Sequence, residues 1–89
     1  MSADLETIRK RLVWRATHRG IKEMDILVGG YAQRHLPDMS EMQLSEFEIL
    51  LEIPDQDLLS WATLQEQVPT QLACPMLTTI LTYRPETNA

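Results

Sequence analysis

The sequence predicts an all-α fold: a compact single-domain bundle of five short helices. Three observations carry this. The chain has 89 residues, the size of one domain. Apolar residues recur at helical spacing in five separate segments, and no stretch alternates convincingly enough for a strand. Helix start and stop chemistry bounds those segments. The domain is expected to span residues 1–89, with an ordered core at about 3–84. An apolar share of 44% and a charged share of 24% are ordinary for a globular protein, which argues against disorder, collagen-like repeats or a coiled coil.

The first helix is expected over residues 3–17. Leu5, Ile8, Leu12 and Ala16 share one sector of the wheel, and Val13 widens it. Ser2 suits the N-cap, Asp4 and Glu6 suit the positive end of the helix dipole, and Arg9, Lys10, Arg11 and Arg15 lie toward the negative end. Trp14 falls off the apolar stripe, so it is either packed by a later segment or offered to a partner. Gly20 is expected to stop this helix, and a second follows within two residues, running to about His35. Its apolar face is Ile21, Met24, Leu27 or Val28, and Tyr31. The pair Gly29-Gly30 inside it implies either close helix–helix approach or a break into two pieces.

Ser40 and Gln43 form a capping box, and Met39 with Leu44 a hydrophobic staple, at the head of a third helix. Leu44, Phe47, Leu50 and Leu51 are its buried stripe; Glu41, Glu46, Glu48 and Glu52 stay mostly wet, and Pro54 ends it. Asp55 and Asp57 open a fourth helix that turns Leu58, Trp61 and Ala62 inward. After the loop "QEQVPTQ", a fifth helix begins near Pro75, buries Met76 or Leu77 with Ile80 and Leu81, and stops at Pro85.

Charge is uneven. Residues 1–36 carry a net +3 and residues 37–89 a net −8, within an overall −5. Such a dipolar molecule can turn its N-terminal part toward an acidic partner surface or a phosphate, although a solvated helix face explains the pattern equally well. Cys74 has no second cysteine to pair with, and His18 and His35 have no third ligand nearby, so neither a disulfide nor a metal is expected. No apolar run approaches the roughly 18 residues of a membrane span. The first residues lack a signal-peptide core and carry acids foreign to a transit peptide, so a bacterial cytoplasm is the expected location. With no spare heptad or long apolar edge, a monomer is expected.

Catalysis has little support in these residues. Cys74 has no histidine near it in sequence and reads as a small structural thiol. The acid pairs Glu23/Asp25 and Asp55/Asp57 lie two apart and do not face each other on a helix. The chain is therefore not expected to be an enzyme. Nucleic-acid binding through the basic first helix is opposed by a pI near 4.8 and by the lack of a recognised motif.

The stretch "VWRATHRGIKEMDILVGGYA" closely resembles the signature of the succinate dehydrogenase assembly factor 2 family, the flavinators. The resemblance runs through Trp14, Arg15, Ala16, Arg19, Gly20, Glu23, Asp25, Leu27 and Gly29. A second block resembles the family downstream, through Phe47, Glu48, Leu50, Leu51, Pro54, Asp55, Asp57, Leu58 and Trp61. Two positions depart from the pattern: Leu64 stands where many members have glycine, and Gly30 where a bulky residue is usual.

The resemblance implies a five-helix assembly factor that binds the flavoprotein subunit of succinate dehydrogenase, or of fumarate reductase. It implies covalent attachment of FAD in that partner, with no cofactor held stably by the factor, no nucleic acid and no insertion into a membrane. Carried onto this chain, Arg19, Gly20 and Glu23 form the contact surface, supported by Arg15 and Asp25. Physically, Gly20 lets a partner backbone approach closely, and Arg19 offers a planar fork to a carboxylate or carbonyl. Glu23 either pairs with Arg19 or accepts from the partner. The alternative function is a small regulatory, antitoxin-like or nucleic-acid-associated helical protein.

Overall fold

Asp4 caps the first helix. In the computed structural model, which describes residues 4–83, the Asp4 side chain accepts from the Glu6 N–H at 3.4 Å. The expected cap at Ser2 lies outside the described residues, as do Arg84 and the expected stop at Pro85. Helix α1 is Leu5–Thr17, α2 Lys22–His35, α3 Glu41–Leu50, α4 Asp55–Ala62 and α5 Pro75–Thr82. A single 3-10 turn, Leu36–Asp38, follows α2, and no strand occurs among the described residues.

The two long helices form an antiparallel hairpin. Near its tight end, Gly29 lies so close to α1 that a Cβ there would stand 2.8 Å from Thr17 Cγ2 and 3.2 Å from the Ala16 carbonyl oxygen. That decides between the two readings of the glycine pair: α2 is unbroken, and Gly29 permits close approach. Gly30 serves the other side, where an added Cβ would meet the Tyr83 ring at 2.7 Å. At the open end, Arg9 Nε donates to the Leu36 carbonyl at 3.1 Å and Arg9 Nη2 to that of Met39 at 2.8 Å. A residue expected to be a solvated dipole charge thus satisfies carbonyls where α2 runs out of helical partners.

The capping box at Ser40 is present: the Gln43 N–H donates to Ser40 Oγ at 3.2 Å, and Ser40 N–H donates to Gln43 Oε1 at 2.9 Å. Met39 and Leu44, the two ends of the expected staple, are both buried. Leu44, Phe47, Leu50 and Leu51 then enter one core with Leu12, Ala16, Met24, Val28 and Ala32. From α4 come Leu58 and Trp61, and from α5 Leu77, Ile80 and Leu81; Val28 and Leu77 are the buried members of the two undecided pairs. Tyr31 sits among aromatics, 5.9 Å from Phe47 and 4.6 Å from His35 between ring centroids. Burial raises its hydroxyl above the usual tyrosine range, helped by Glu46 and Cys74.

Cys74 N-caps α5, its Sγ accepting from the Leu77 N–H at 3.4 Å. Leu64, just past α4, adopts φ +63° and is 88% exposed. Among the described residues no helix is long and apolar enough to cross a membrane, and no group of three or more His, Cys, Asp or Glu side chains is placed to hold a metal ion.

Candidate partner-binding site at the α1–α2 turn

The turn between α1 and α2 is residues 18–21, and its shape is set from two directions. Helix α1 ends at Thr17, as expected, three residues before Gly20. Thr17 Oγ1 donates to the Val13 carbonyl at 3.0 Å, and the His18 N–H closes onto the Arg15 carbonyl at 3.4 Å. Gly20 then takes φ +105°, a conformation glycine tolerates and other residues adopt only with strain. No atom lies within 4 Å of where its Cβ would be, so the backbone there is open to approach.

Arg19 points inward, across to the corner between α3 and α4. Its Nη1 donates to the Leu51 carbonyl at 3.1 Å, its Nη2 to the Ile53 carbonyl at 2.7 Å, and its Nε to Asp55 Oδ1. Its side chain is only 9% exposed and that of Asp55 14%. The fork, expected on the contact surface to be offered to a partner's carboxylate or carbonyl, is engaged instead by a carboxylate and two carbonyls of the chain itself. It satisfies carbonyls left free by the end of α3 while Asp55 supplies the counter-charge. On the opposite side of the turn, Asp25 Oδ1 accepts the Arg19 backbone N–H at 2.6 Å. Arg19 and Asp25 therefore act together as a brace for the turn.

Glu23 is left out of this brace. Arg19 pairs with Asp55, and Glu23 is exposed with no hydrogen bond or ion pair among the described residues. Arg15, one turn back on α1, forms a wet pair with Glu52 at 2.7 Å and lies 3.7 Å from Glu48. Past Glu23, α2 and α4 enclose a shallow trough of about 280 Å³ floored by Met24, Leu27, Leu59 and Ala62, with Ile26 half exposed at its rim. The five residues expected at the site thus divide. Gly20 and Glu23 both face outward, Arg19 and Asp25 brace the turn, and Arg15 ties α1 to α3.

Two participants escaped sequence reasoning. Asp55 reads as an ordinary helix-start charge, and the carbonyls of Leu51 and Ile53 have no side-chain signature at all. The one available signal was the pairing of the two sequence blocks, since Arg19 belongs to the first and Asp55 to the second.

Comparison with known proteins matches residues 10–84 to the family described as flavinator of succinate dehydrogenase. The FAD assembly factor SdhE of Acetobacter pasteurianus is 39% identical over 74 residues, 83% of this chain and 68% of that protein. Succinate dehydrogenase assembly factor 2, mitochondrial, of Dictyostelium discoideum is 31% identical over 75 residues, 84% of this chain and 53% of that protein. Its namesake in Meyerozyma guilliermondii is 45% identical over 58 residues, 65% of this chain and 43% of that protein. The chain thus spans about two thirds of the bacterial relative and roughly half of the two eukaryotic ones. All three are named as assembly factors, in keeping with a protein that is not an enzyme.

Proposed function

This chain belongs to the flavinator of succinate dehydrogenase family, and from that premise we propose that it binds the flavoprotein subunit of that enzyme and promotes covalent attachment of FAD there. The observation that supports this reading best is the outward edge at the α1–α2 turn. An open glycine backbone at φ +105° and, three residues on, an exposed Glu23 carboxylate with no ion pair among the described residues face outward, while the inward-turned Arg19 braces the turn itself. Backbone amides and a free carboxylate suit a protein surface, where the edge supplies hydrogen bonds and one charge without steric bulk.

In this reading the factor works by differential affinity. It binds the client conformation in which the client's own histidine and the flavin are aligned, and thereby raises the population of that state. The flavin bond is made by groups of the client, and FAD resides on the client throughout. A fumarate reductase flavoprotein is a second client of the same kind. The factor acts as a monomer in the bacterial cytoplasm.

Coexpression with the flavoprotein subunit tests the proposal, with covalent flavin read as fluorescence of the denatured band in a gel. The parent chain is expected to raise that signal, and Gly20→Arg and Glu23→Ala to lose most of it. Equal signal with and without the parent chain overturns the function. Full signal from both variants overturns the edge as its seat.

A further inference from the structure

Trp14 has no place in the site described so far, yet it is 61% exposed on the surface of α1. It walls an open groove of about 690 Å³ that runs along α1 past Lys10 and Val13 to Leu36 and Pro37. We propose that this groove is a second docking surface, which takes an acidic segment of the client flavoprotein subunit by laying an apolar side chain against Trp14. The inference rests on the proposed function and adds to it a second point of contact and its chemistry.

The indole is held ready. It stacks on the His18 ring at 4.3 Å between centroids and 14° between planes. His18 Nδ1 is in turn hydrogen-bonded to the Trp14 carbonyl at 2.8 Å and to Thr17 Oγ1 at 3.0 Å. A large apolar surface already fixed in one orientation loses little side-chain entropy on binding, which favours a tryptophan as an interface anchor.

Charge selects the occupant. Lys10 and Arg11 lie four and three residues before Trp14, which puts both beside it on the helix surface. Both are exposed, and neither has a hydrogen bond or ion pair among the described residues. Arg9 adds a third positive charge to the groove wall, although its guanidinium is committed to the Leu36 and Met39 carbonyls. Glu6, at the far end, is the one carboxylate in the lining. A positive rim around an apolar anchor fits a segment carrying Asp or Glu next to a large apolar residue. A nucleic acid fits less well, because tracking phosphates needs a longer row of cations than Glu6 and an overall charge of −5 allow. The groove also leads to the proposed edge. Thr17 lines it, His18 stacks on the indole that walls it, and Gly20 lies two residues further along the chain.

The test measures binding of the purified, FAD-free flavoprotein subunit by biolayer interferometry across a range of salt concentrations. The parent chain is expected to bind. Trp14→Ala is expected to weaken binding about tenfold or more, as loss of an interface anchor does. The double reversal Lys10→Glu with Arg11→Glu is expected to weaken it and to flatten its salt dependence. Circular dichroism melts serve as the folding control, since all three positions are exposed. If the parent chain does not bind, the proposed function falls and the groove with it. If the parent binds, Gly20→Arg does not, and both groove variants bind within twofold of the parent, the groove alone is overturned. It is also overturned if single-stranded oligonucleotides bind in a Trp14-dependent way while client binding ignores the groove variants.

Discussion

Replacing Arg19 separates bracing from contact. Its guanidinium makes three hydrogen bonds, two to carbonyls and one to Asp55, with 9% and 14% of the paired side chains exposed. Solvent therefore screens the pair little. Removing one partner of such a pair costs about 3–5 kcal/mol, because the other is left buried without a counter-charge. A domain of 89 residues has only about 4–13 kcal/mol in total, at about 0.05–0.15 kcal/mol per residue. Arg19→Ala is thus expected to bring the chain close to unfolding. Arg19→Lys keeps the charge but not the fork, and is expected to cost about 1–3 kcal/mol.

Urea unfolding followed by far-ultraviolet circular dichroism measures both. A double-mutant cycle with Asp55→Ala should give a coupling of about 1 kcal/mol or more. Glu23→Ala, on the same turn, should leave stability within about 0.5 kcal/mol while impairing the client. The reasoning fails if Arg19→Ala unfolds within about 1 kcal/mol of the parent and the cycle shows no coupling. Arg19 would then be an independent surface residue, and the turn would owe its shape to Gly20 alone.

Other outcomes follow from the packing. Leu64→Gly should raise stability by about 1 kcal/mol, since it relieves a left-handed backbone at a side chain too exposed to lose packing; thermal melts check this. Gly29→Ala should cost about 1–3 kcal/mol, because its new methyl meets Thr17 Cα at 3.1 Å as well as Cγ2. Gly30→Ala should cost less, because the obstructing Tyr83 ring is a side chain that can turn aside; paired urea curves compare the two. Tyr31 is held neutral by burial, so the folded state keeps a proton that the unfolded chain releases above about pH 10. Stability should accordingly fall with rising pH in that range, and Tyr31→Phe should flatten the fall in alkaline melts.

Most of the fold was legible because helix grammar is local. The Ser40–Gln43 box, Pro75 at the head of α5 and the stripe from Leu44 to Leu51 all act within a few residues of themselves. The end of α1 at Thr17 was legible in the same way, with Gly20 in the turn that follows, and Asp4 supplies the observed cap of that helix. The orientation of Arg19 was not legible, because its acceptors belong to a corner brought near only by tertiary packing. Glu23, four residues along the same helical turn, was the nearer candidate by local spacing. The exposure of Trp14 was half legible: its place off the apolar stripe left two options, and only the arrangement of the other helices decides between them.

The brace around Arg19 also bears on when the edge can form. Its acceptors lie 32, 34 and 36 residues further along the chain. The α1–α2 hairpin and its local turn contacts come from neighbouring sequence, but the Arg19 guanidinium finds its acceptors only when the α3–α4 corner has docked on the turn. The braced edge is complete only once the α3–α4 corner is in place, which under the proposed function would tie recognition of a client to completion of the factor's own structure.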